Sequence, residues 1–175
     1  MRIVGGRWAG RTLVSPSGRV RPTSEALRDV WMRMIASDLE GARVLDLFAG
    51  TGALGLEALS RGAATCDFVE NNPSAMHALK ANIAALHARQ RTRIFDRDAI
   101  PFVERITTIH YDIACADPPY GSRKLDRILQ RWLAQPFSRT LCVEHAPDHE
   151  LPARGRSRRV EDSIVTVLRA PALVE

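Results

Sequence analysis

The sequence predicts an α/β fold, a mostly parallel seven-stranded sheet with helices on both faces, behind a small N-terminal hairpin and helix. Three observations carry this. Short apolar runs alternate with helical patterns from Arg43 to His145, and strict alternation means right-handed crossovers between parallel strands. A glycine turn, Ala49-Gly50-Thr51-Gly52, joins the first of these strands to its helix. After Pro152 the pattern changes to two adjacent runs, 156–161 and 163–169, that read as an antiparallel pair. At 175 residues the chain suits one domain with a real core. Residues 1–40 are its N-terminal extension and 41–175 its α/β core.

Residues 2–14, RIVGGRWAGRTLV, place two glycine turn signals between short apolar stretches and read as a hairpin. SPSGRVRP follows as a loop. In TSEALRDVWMRMIASDLEG, Ala26, Leu27, Val30, Trp31, Met34 and Ile35 share one helical face. Thr23 is the expected N-cap and Gly41 the expected stop. RVLDLF (43–48) is the first core strand, and the helix ALGLEALSRG follows the glycine turn. TCDFVE (65–70) is the second strand, and Asn72 with Pro73 opens a helix burying Ala75, Met76, Leu79, Ile83 and Leu86. RTRIFD (91–96), a short helix near 99–106 and DIACAD (112–117) come next. Ser122 is the expected cap of a helix with Leu125, Ile128, Leu129, Trp132 and Leu133 inward, before a fifth strand, RTLCVEH (139–145).

Composition narrows the function classes. Hydrophobic residues make up 45% of the chain and charged residues 26%, as in ordinary globular proteins. No run approaches the ~18 apolar residues of a membrane span, and MRIVGGRWAGR lacks the apolar centre of a signal peptide. A cytoplasmic location without membrane contact is expected. Cys66, Cys115 and Cys142 are far apart in apolar runs, which suits buried thiols. No metal is implied, since His145 and His149 with Asp148 read as a solvated loop. The net charge of +5 favours an anionic partner.

In a parallel sheet of this kind, ligands bind at the carboxyl ends of the strands. Those ends read Asp46-Leu47-Phe48-Ala49-Gly50-Thr51-Gly52, Glu70-Asn71, Asp96-Arg97-Asp98-Ala99 and Asp117-Pro118-Pro119-Tyr120, each with an acid. Gly50, Gly52 and Gly55 satisfy the dinucleotide fingerprint, with Glu70 twenty residues beyond Gly50. Asp46 decides against a pyrophosphate, which a carboxylate there would repel. S-adenosylmethionine carries an ammonium and a sulfonium and no phosphate, so the same acid favours it. Candidate ligands of this donor are Asp46, Phe48, Ala49, Gly50, Gly52, Glu70, Asn71, Asp98, Ala99 and Asp117. Glu70 is placed to accept the ribose hydroxyls and Asp98 the adenine amine. Gly50 and Gly52 allow close backbone approach.

ADPPYG (116–121) is the second signal. Proline cannot donate to a ladder and pushes its predecessor out of helical space, so the chain leaves the strand at Asp117 in a stiff, extended turn. An exocyclic amine on a base is a poor nucleophile, its lone pair delocalised into the ring. The Asp117 carboxylate and the Pro118 carbonyl can each accept one N–H and aim the lone pair at a methyl group. Pro119 helps fix both acceptors, and Tyr120 offers a ring on which an extruded base can stack. Asp117, Pro118, Pro119 and Tyr120 are the candidate catalytic residues.

With LDLFAGTG and DPPY in place, the chain resembles amino-methylating class I methyltransferases, whose fold is Rossmann-like. More narrowly it resembles the bacterial 16S rRNA (guanine(966)-N(2))-methyltransferase family, through MRIVGGRWAGRTL, RPTSEALRDVWMRMI, VLDLFAGTGALGLEALSRGA, FVE, DPPY and LCVEH. The resemblance implies that Arg21, Pro22 and Thr23 fold over the donor site. It also implies methyl transfer from S-adenosylmethionine, leaving S-adenosylhomocysteine, to the N2 amine of a guanine in 16S rRNA within the small ribosomal subunit. Tyr120 stands where the family more often has Phe, and residues 148–163 match least well. A monomer is expected.

The basic residues fall in clusters. Arg2, Arg7, Arg11, Arg19 and Arg21 precede the first acid, Glu25. Arg123, Lys124, Arg127 and Arg131 lie opposite the apolar stripe of the helix after the DPPY turn. Both are expected to flank the site and contact RNA phosphates, Arg2, Arg7, Arg11, Arg19, Arg21, Arg123, Lys124 and Arg127 above all. Arg154, Arg156, Arg158 and Arg159 read as solvated surface. The same clamp also serves DNA adenine-N6 and protein glutamine methyltransferases. DNA enzymes usually carry a recognition insert and glutamine enzymes Asn in place of Asp117, and neither feature is present. A non-catalytic RNA-binding assembly factor and an NAD oxidoreductase are the rivals from other classes.

Overall fold

The computed structural model describes residues 1–15 and 23–171. Its helices are α1 (Glu25–Met34), α2 (Ala36–Leu39), α3 (Ala53–Ser60), α4 (Pro73–Ala85), α5 (Ala99–Glu104) and α6 (Lys124–Ala134). Its strands are β1 (Arg43–Leu47), β2 (Thr65–Glu70), β3 (Thr92–Asp96), β4 (Tyr111–Ala116), β5 (Ser138–His145), β6 (Arg156–Val160) and β7 (Ser163–Arg169). The sheet order is β3-β2-β1-β4-β5-β7-β6. β1 to β5 are parallel, and β7 enters antiparallel between β5 and β6. This is the mostly parallel α/β sheet expected from the alternation and the closing antiparallel pair, and the class I methyltransferase fold that the resemblance implies.

The order places the switch point between β1 and β4, where the chain first crosses from one half of the sheet to the other. A ligand crevice belongs at the carboxyl ends of those two strands. Successive residues of each strand face opposite sides. Val44, Cys66, Phe68, Ile113, Cys115 and Val165 bury into a core with α1, α3, α4 and the hairpin. Leu45, Leu47, Val69, Ala114, Leu141 and Leu168 bury into another with α5 and α6. Both faces are covered, and Cys66, Cys115 and Cys142 are buried free thiols.

The N-terminal hairpin closes through an antiparallel bridge between Arg2 and Thr12, around a short 3-10 turn at Gly6–Trp8. Its anchor is Glu57 of α3, fully buried, whose carboxylate accepts from Val4 N at 2.8 Å, Gly5 N at 2.7 Å and Arg61 Nε at 2.9 Å. Arg61 reaches on to Asp29 of α1 at 2.9 Å. Hairpin, α1 and α3 therefore share one buried ionic network. Arg28, fully buried on α1, lies 3.9 Å from the same Glu57 carboxylate, so removing that acid would strand the buried Arg28 guanidinium and take one partner from Arg61.

Three local expectations are corrected. The N-cap of α1 is Ser24, which accepts from Leu27 N at 3.1 Å, so Thr23 is released for another contact. The helix expected to run on to the stop at Gly41 breaks at the fully buried Ile35 (φ −115°, ψ 13°), which separates α1 from α2. Ser122 does not cap α6; its hydroxyl donates back to the Pro119 carbonyl at 2.7 Å and closes the DPPY turn. β6, the outer edge strand, carries Arg156, Arg158 and Arg159, and charge on an edge discourages pairing with another sheet.

Candidate active site

A cavity of about 590 Å³ opens at the carboxyl ends of β1, β2, β4 and β5, within the range of small-molecule sites. Its walls include Thr23, Phe48, Gly50, Glu70, Asn71, Asp117, Pro118, Pro119, Tyr120 and Lys124, all anticipated. Ser24, Leu27, Asn72, Ala75, Glu144, Val160, Glu161 and Ser163 also line it. The expected catalytic turn and part of the expected donor site thus share one chamber.

The glycine turn forms its floor. Phe48 (φ 58°), Gly50 (φ 56°) and Gly52 (φ 79°) are all left-handed. A Cβ on Gly52 would lie 2.4 Å from Leu79 Cδ1, so this glycine is needed for packing as well as for its dihedral. Gly55 has a different role. A Cβ there would lie 2.4 Å from Phe68 Cε1 and 2.5 Å from Cys66 Sγ, so it lets α3 press against β2. The dinucleotide-like spacing is therefore met partly for a packing reason.

Asp46 does not line the cavity. Its side chain is buried behind the turn and accepts from Gly55 N at 2.9 Å, fastening the start of α3. Burial, with the Glu70 carboxylate adding to it, pushes its pKa up to about 8. Between the unfolded value, about 3.9, and this folded one, the folded chain holds a proton that the unfolded chain has lost. Its stabilising contribution is full below pH ~4 and is lost as pH rises through about 8, at up to about 1.4 kcal/mol per pH unit. Asp46→Asn, which keeps an acceptor for Gly55, is expected to fold and to lose this slope. Urea unfolding across that window, wild type against variant, checks it.

Glu70 is held by three backbone amides: Gly50 N to Oε2 at 2.7 Å, and Asn71 N and Asn72 N to Oε1 at 2.9 and 2.7 Å. It fixes the turn that it shares the floor with, and Oε2, with a single backbone bond, keeps a lone pair for a ligand hydroxyl. Asp98 caps α5 through Ile100 N at 2.9 Å and lies 4.0 Å from Lys124 Nζ. Ala99 is buried under it. Ala49 is buried in the turn, where its carbonyl accepts from Gly52 N at 2.7 Å. Asp46, Ala49, Gly52, Asp98 and Ala99 thus stand behind or beside the cavity wall rather than in it.

The DPPY turn closes the other side. Thr23 Oγ1 donates to Asp117 Oδ2 at 2.7 Å, tying the N-terminal extension to the clamp. Loss of solvation and the neighbouring Glu144 carboxylate raise the Asp117 pKa well above the usual range, against the Thr23 bond, which lowers it. Tyr120 Oη donates to Glu144 Oε1 at 2.6 Å and lies 2.6 Å from Ser163 Oγ, which itself donates to Glu144 Oε1 at 2.8 Å. The ring, 42% exposed, is therefore fixed at its hydroxyl with a face open to the cavity. Sequence reasoning missed Glu144 and Ser163. An acid at the end of β5 was the available signal, the same one used for the other strand ends.

The basic residues are less concentrated at the site than expected. Arg2 pairs with Glu25 at 3.2 Å. Arg7 lies over the Trp8 ring at 5.6 Å, with Arg91 also over that ring at 5.2 Å. Trp8 N binds Ser60, at the end of α3 away from the glycine turn. Arg7 is therefore about one helix, ~12 Å, from the floor of the cavity. The Arg11 side chain is exposed; Arg19 and Arg21 lie outside the described residues. Arg123 and Arg127 are exposed beside the cavity, Arg127 paired with Glu104 at 3.0 Å, and Lys124 lies 5.5 Å from the Phe48 ring centre. Arg131 is taken up by the carbonyls of Gln135 and Ile106. His145 and His149 bond Thr166 and Asp126, both at 2.9 Å.

Comparison with known proteins gives the family. Residues 1–159 match the family described as Conserved hypothetical protein 95. Ribosomal RNA small subunit methyltransferase D of Escherichia coli K12 is 35% identical over 158 residues, 87% of this chain and 78% of that protein. The solved structure of yhhF from Escherichia coli superposes with a TM-score of 0.83 at 30% identity, over 95% of this chain and 96% of that one. A hypothetical protein of Thermus thermophilus gives 0.83 at 27%, over 97% and 99%. The chain accordingly belongs to the Conserved hypothetical protein 95 family, that of ribosomal RNA small subunit methyltransferase D, on the class I methyltransferase fold.

Proposed function

We propose that this protein transfers a methyl group from S-adenosylmethionine to the exocyclic N2 amine of a guanine in 16S rRNA, within the small ribosomal subunit or an assembly intermediate. The carrying observation is that the Asp117–Tyr120 clamp and the glycine-turn floor line one cavity. The residues present suit the donor. Glu70, Asp117 and Glu144 line the chamber against a single lysine, Lys124, a balance that favours a sulfonium and an ammonium over a pyrophosphate. Glu70 would take the ribose hydroxyls, Phe48 and Asn71 would flank the nucleoside, and Gly50 would admit it closely.

Bound there, S-adenosylmethionine supplies an activated methyl group. The chain's own residues do the rest. Asp117 and the Pro118 carbonyl accept the two amine protons and direct the lone pair. Tyr120, pinned through its hydroxyl, presents a stacking face to the base. As the nitrogen gains its methyl it sheds one proton, and the Asp117 carboxylate is the acceptor within reach. Thr23 holds that carboxylate in place. The protein works as one domain in the cytoplasm, where its substrate is.

The test is transfer from tritiated S-adenosylmethionine to small subunits lacking their modifications, beside naked 16S RNA, followed by nucleoside analysis. Label in N2-methylguanosine is expected; label in N6-methyladenosine would overturn the reading. RNA contact is tested separately. Arg123 and Arg127 changed together to Ala should weaken substrate binding and flatten the salt dependence by about 0.7–0.9 in slope for each phosphate no longer neutralised. A loss equal at all salt concentrations would mean that they act on folding instead.

A further inference from the structure

We infer that Glu144 is the residue that selects guanine, accepting the N1–H of the base while Asp117 accepts from the neighbouring N2 amine. This rests on the guanine-N2 reading above. Ala116 and Val143 are paired in the ladder of β4 and β5, so Asp117 and Glu144 leave the two strands side by side. Both line the cavity.

The two oxygens of Glu144 differ sharply. Oε1 is saturated, accepting from the Tyr120 hydroxyl at 2.6 Å and the Ser163 hydroxyl at 2.8 Å. Those two bonds fix the carboxylate plane. Oε2 is buried and meets no hydrogen-bond donor among the described residues, although the side chain is only 5% exposed. A buried carboxylate oxygen without a donor is costly. Its neighbour, the Asp117 carboxyl, can supply a donor only when protonated; burial first, and then the Glu144 carboxylate, keep the proton on Asp117 above the usual range.

Two adjacent acceptors on one wall of the chamber call for two adjacent donors. Guanine carries N1–H beside N2–H₂ on its Watson–Crick edge. Adenine carries an acceptor, N1, beside its amine, and a carboxylate facing that lone pair would be repelled. On entry of guanine, Asp117 gives up its proton to solvent, and N1–H becomes the donor to Glu144. Sites built to bond a donor reject analogues lacking it far more strongly than apolar pockets reject a missing methylene. Glu144 thus acts as a specificity-determining residue, while Tyr120 and Ser163 hold it.

2-Aminopurine keeps the N2 amine and replaces N1–H with an acceptor; it also lacks O6, so the comparison with a Glu144 variant assigns the effect. Once wild-type enzyme has been used to map the modified guanine, small subunits are reconstituted on 16S RNA carrying 2-aminopurine at that position. Wild type is expected to prefer guanine by about a hundredfold or more in kcat/KM. E144Q retains an acceptor for the Tyr120 and Ser163 hydroxyls but turns an N–H toward N1. Its rate on guanine at saturating donor should fall by about a hundredfold, and its preference should drop to within about threefold. A purely structural role for Glu144 would lower both rates together and leave the preference intact, which would overturn the inference. Equal wild-type rates on the two bases would overturn it without any variant. If wild type makes no N2-methylguanosine at all, the guanine-N2 reading itself fails.

Discussion

Asp117→Ala is expected to cut single-turnover methyl transfer by about a thousandfold while changing the affinity for S-adenosylmethionine no more than a fewfold. The substitution removes the one side-chain acceptor that the stiff turn presents to the amine. Donor binding should survive because Gly50, Glu70 and Asn71 are untouched, although Thr23 loses the partner that it holds at 2.7 Å. The pH dependence adds a second readout. Solvent exclusion and the Glu144 carboxylate hold the Asp117 proton well above the usual carboxylate range. A protonated Asp117 donates to its neighbour instead of accepting from the amine, so wild-type kcat/KM should rise with pH through this raised pKa. Asp117→Asn keeps a carbonyl acceptor and cannot titrate; it should retain more activity than the alanine variant and lose that limb. Turnover of Asp117→Ala within a fewfold of wild type would refute the clamp.

Glu70→Ala has the largest expected effect on donor binding, a loss of about a hundredfold or more in affinity. The carboxylate does two things at once. It is placed for the ribose hydroxyls, and it satisfies the amides of Gly50, Asn71 and Asn72 at 2.7 to 2.9 Å. Charge-assisted bonds of this kind contribute about 1.5–3 kcal/mol each at most, and their loss frees both the glycine turn and the start of α4. Calorimetry with the donor measures the affinity, and urea unfolding measures the accompanying destabilisation. A variant that is destabilised yet binds the donor normally would confine Glu70 to the structural role.

Much of this was legible from the sequence because the signals were periodic or stereochemically strong. The strand–helix alternation fixed the fold class, and Asn72-Pro73 marked the start of α4, where Asn72 accepts from Ser74 N and Ala75 N. The Asp-Pro-Pro-Tyr turn could only leave its strand as it does. What escaped was of two kinds. One was the choice between adjacent equivalents: Thr23 and Ser24 are both good caps, and only packing decides that Ser24 caps while Thr23 binds Asp117. The other was long-range assembly. Nothing local reveals that Ser163 and Glu161, at the β6–β7 turn, reach the same cavity as Gly50. Asp46 belongs to the second kind, since its charge suggested a direct ligand role and its strand position buries it behind the turn. Arg7 was read from composition alone, and the hairpin carries it to the far end of α3.

The measurement that tests the central claim most directly is titration calorimetry on the wild-type chain without RNA, with S-adenosylmethionine in one series and NAD in another. The expected result is one-to-one binding of S-adenosylmethionine, lost in Glu70→Ala and kept in Asp117→Ala, with no heat from NAD. Heat from NAD alone would make the cavity a dinucleotide site. Absence of binding by either ligand would contradict a methyl-donor cavity and leave an RNA-binding factor on a methyltransferase fold.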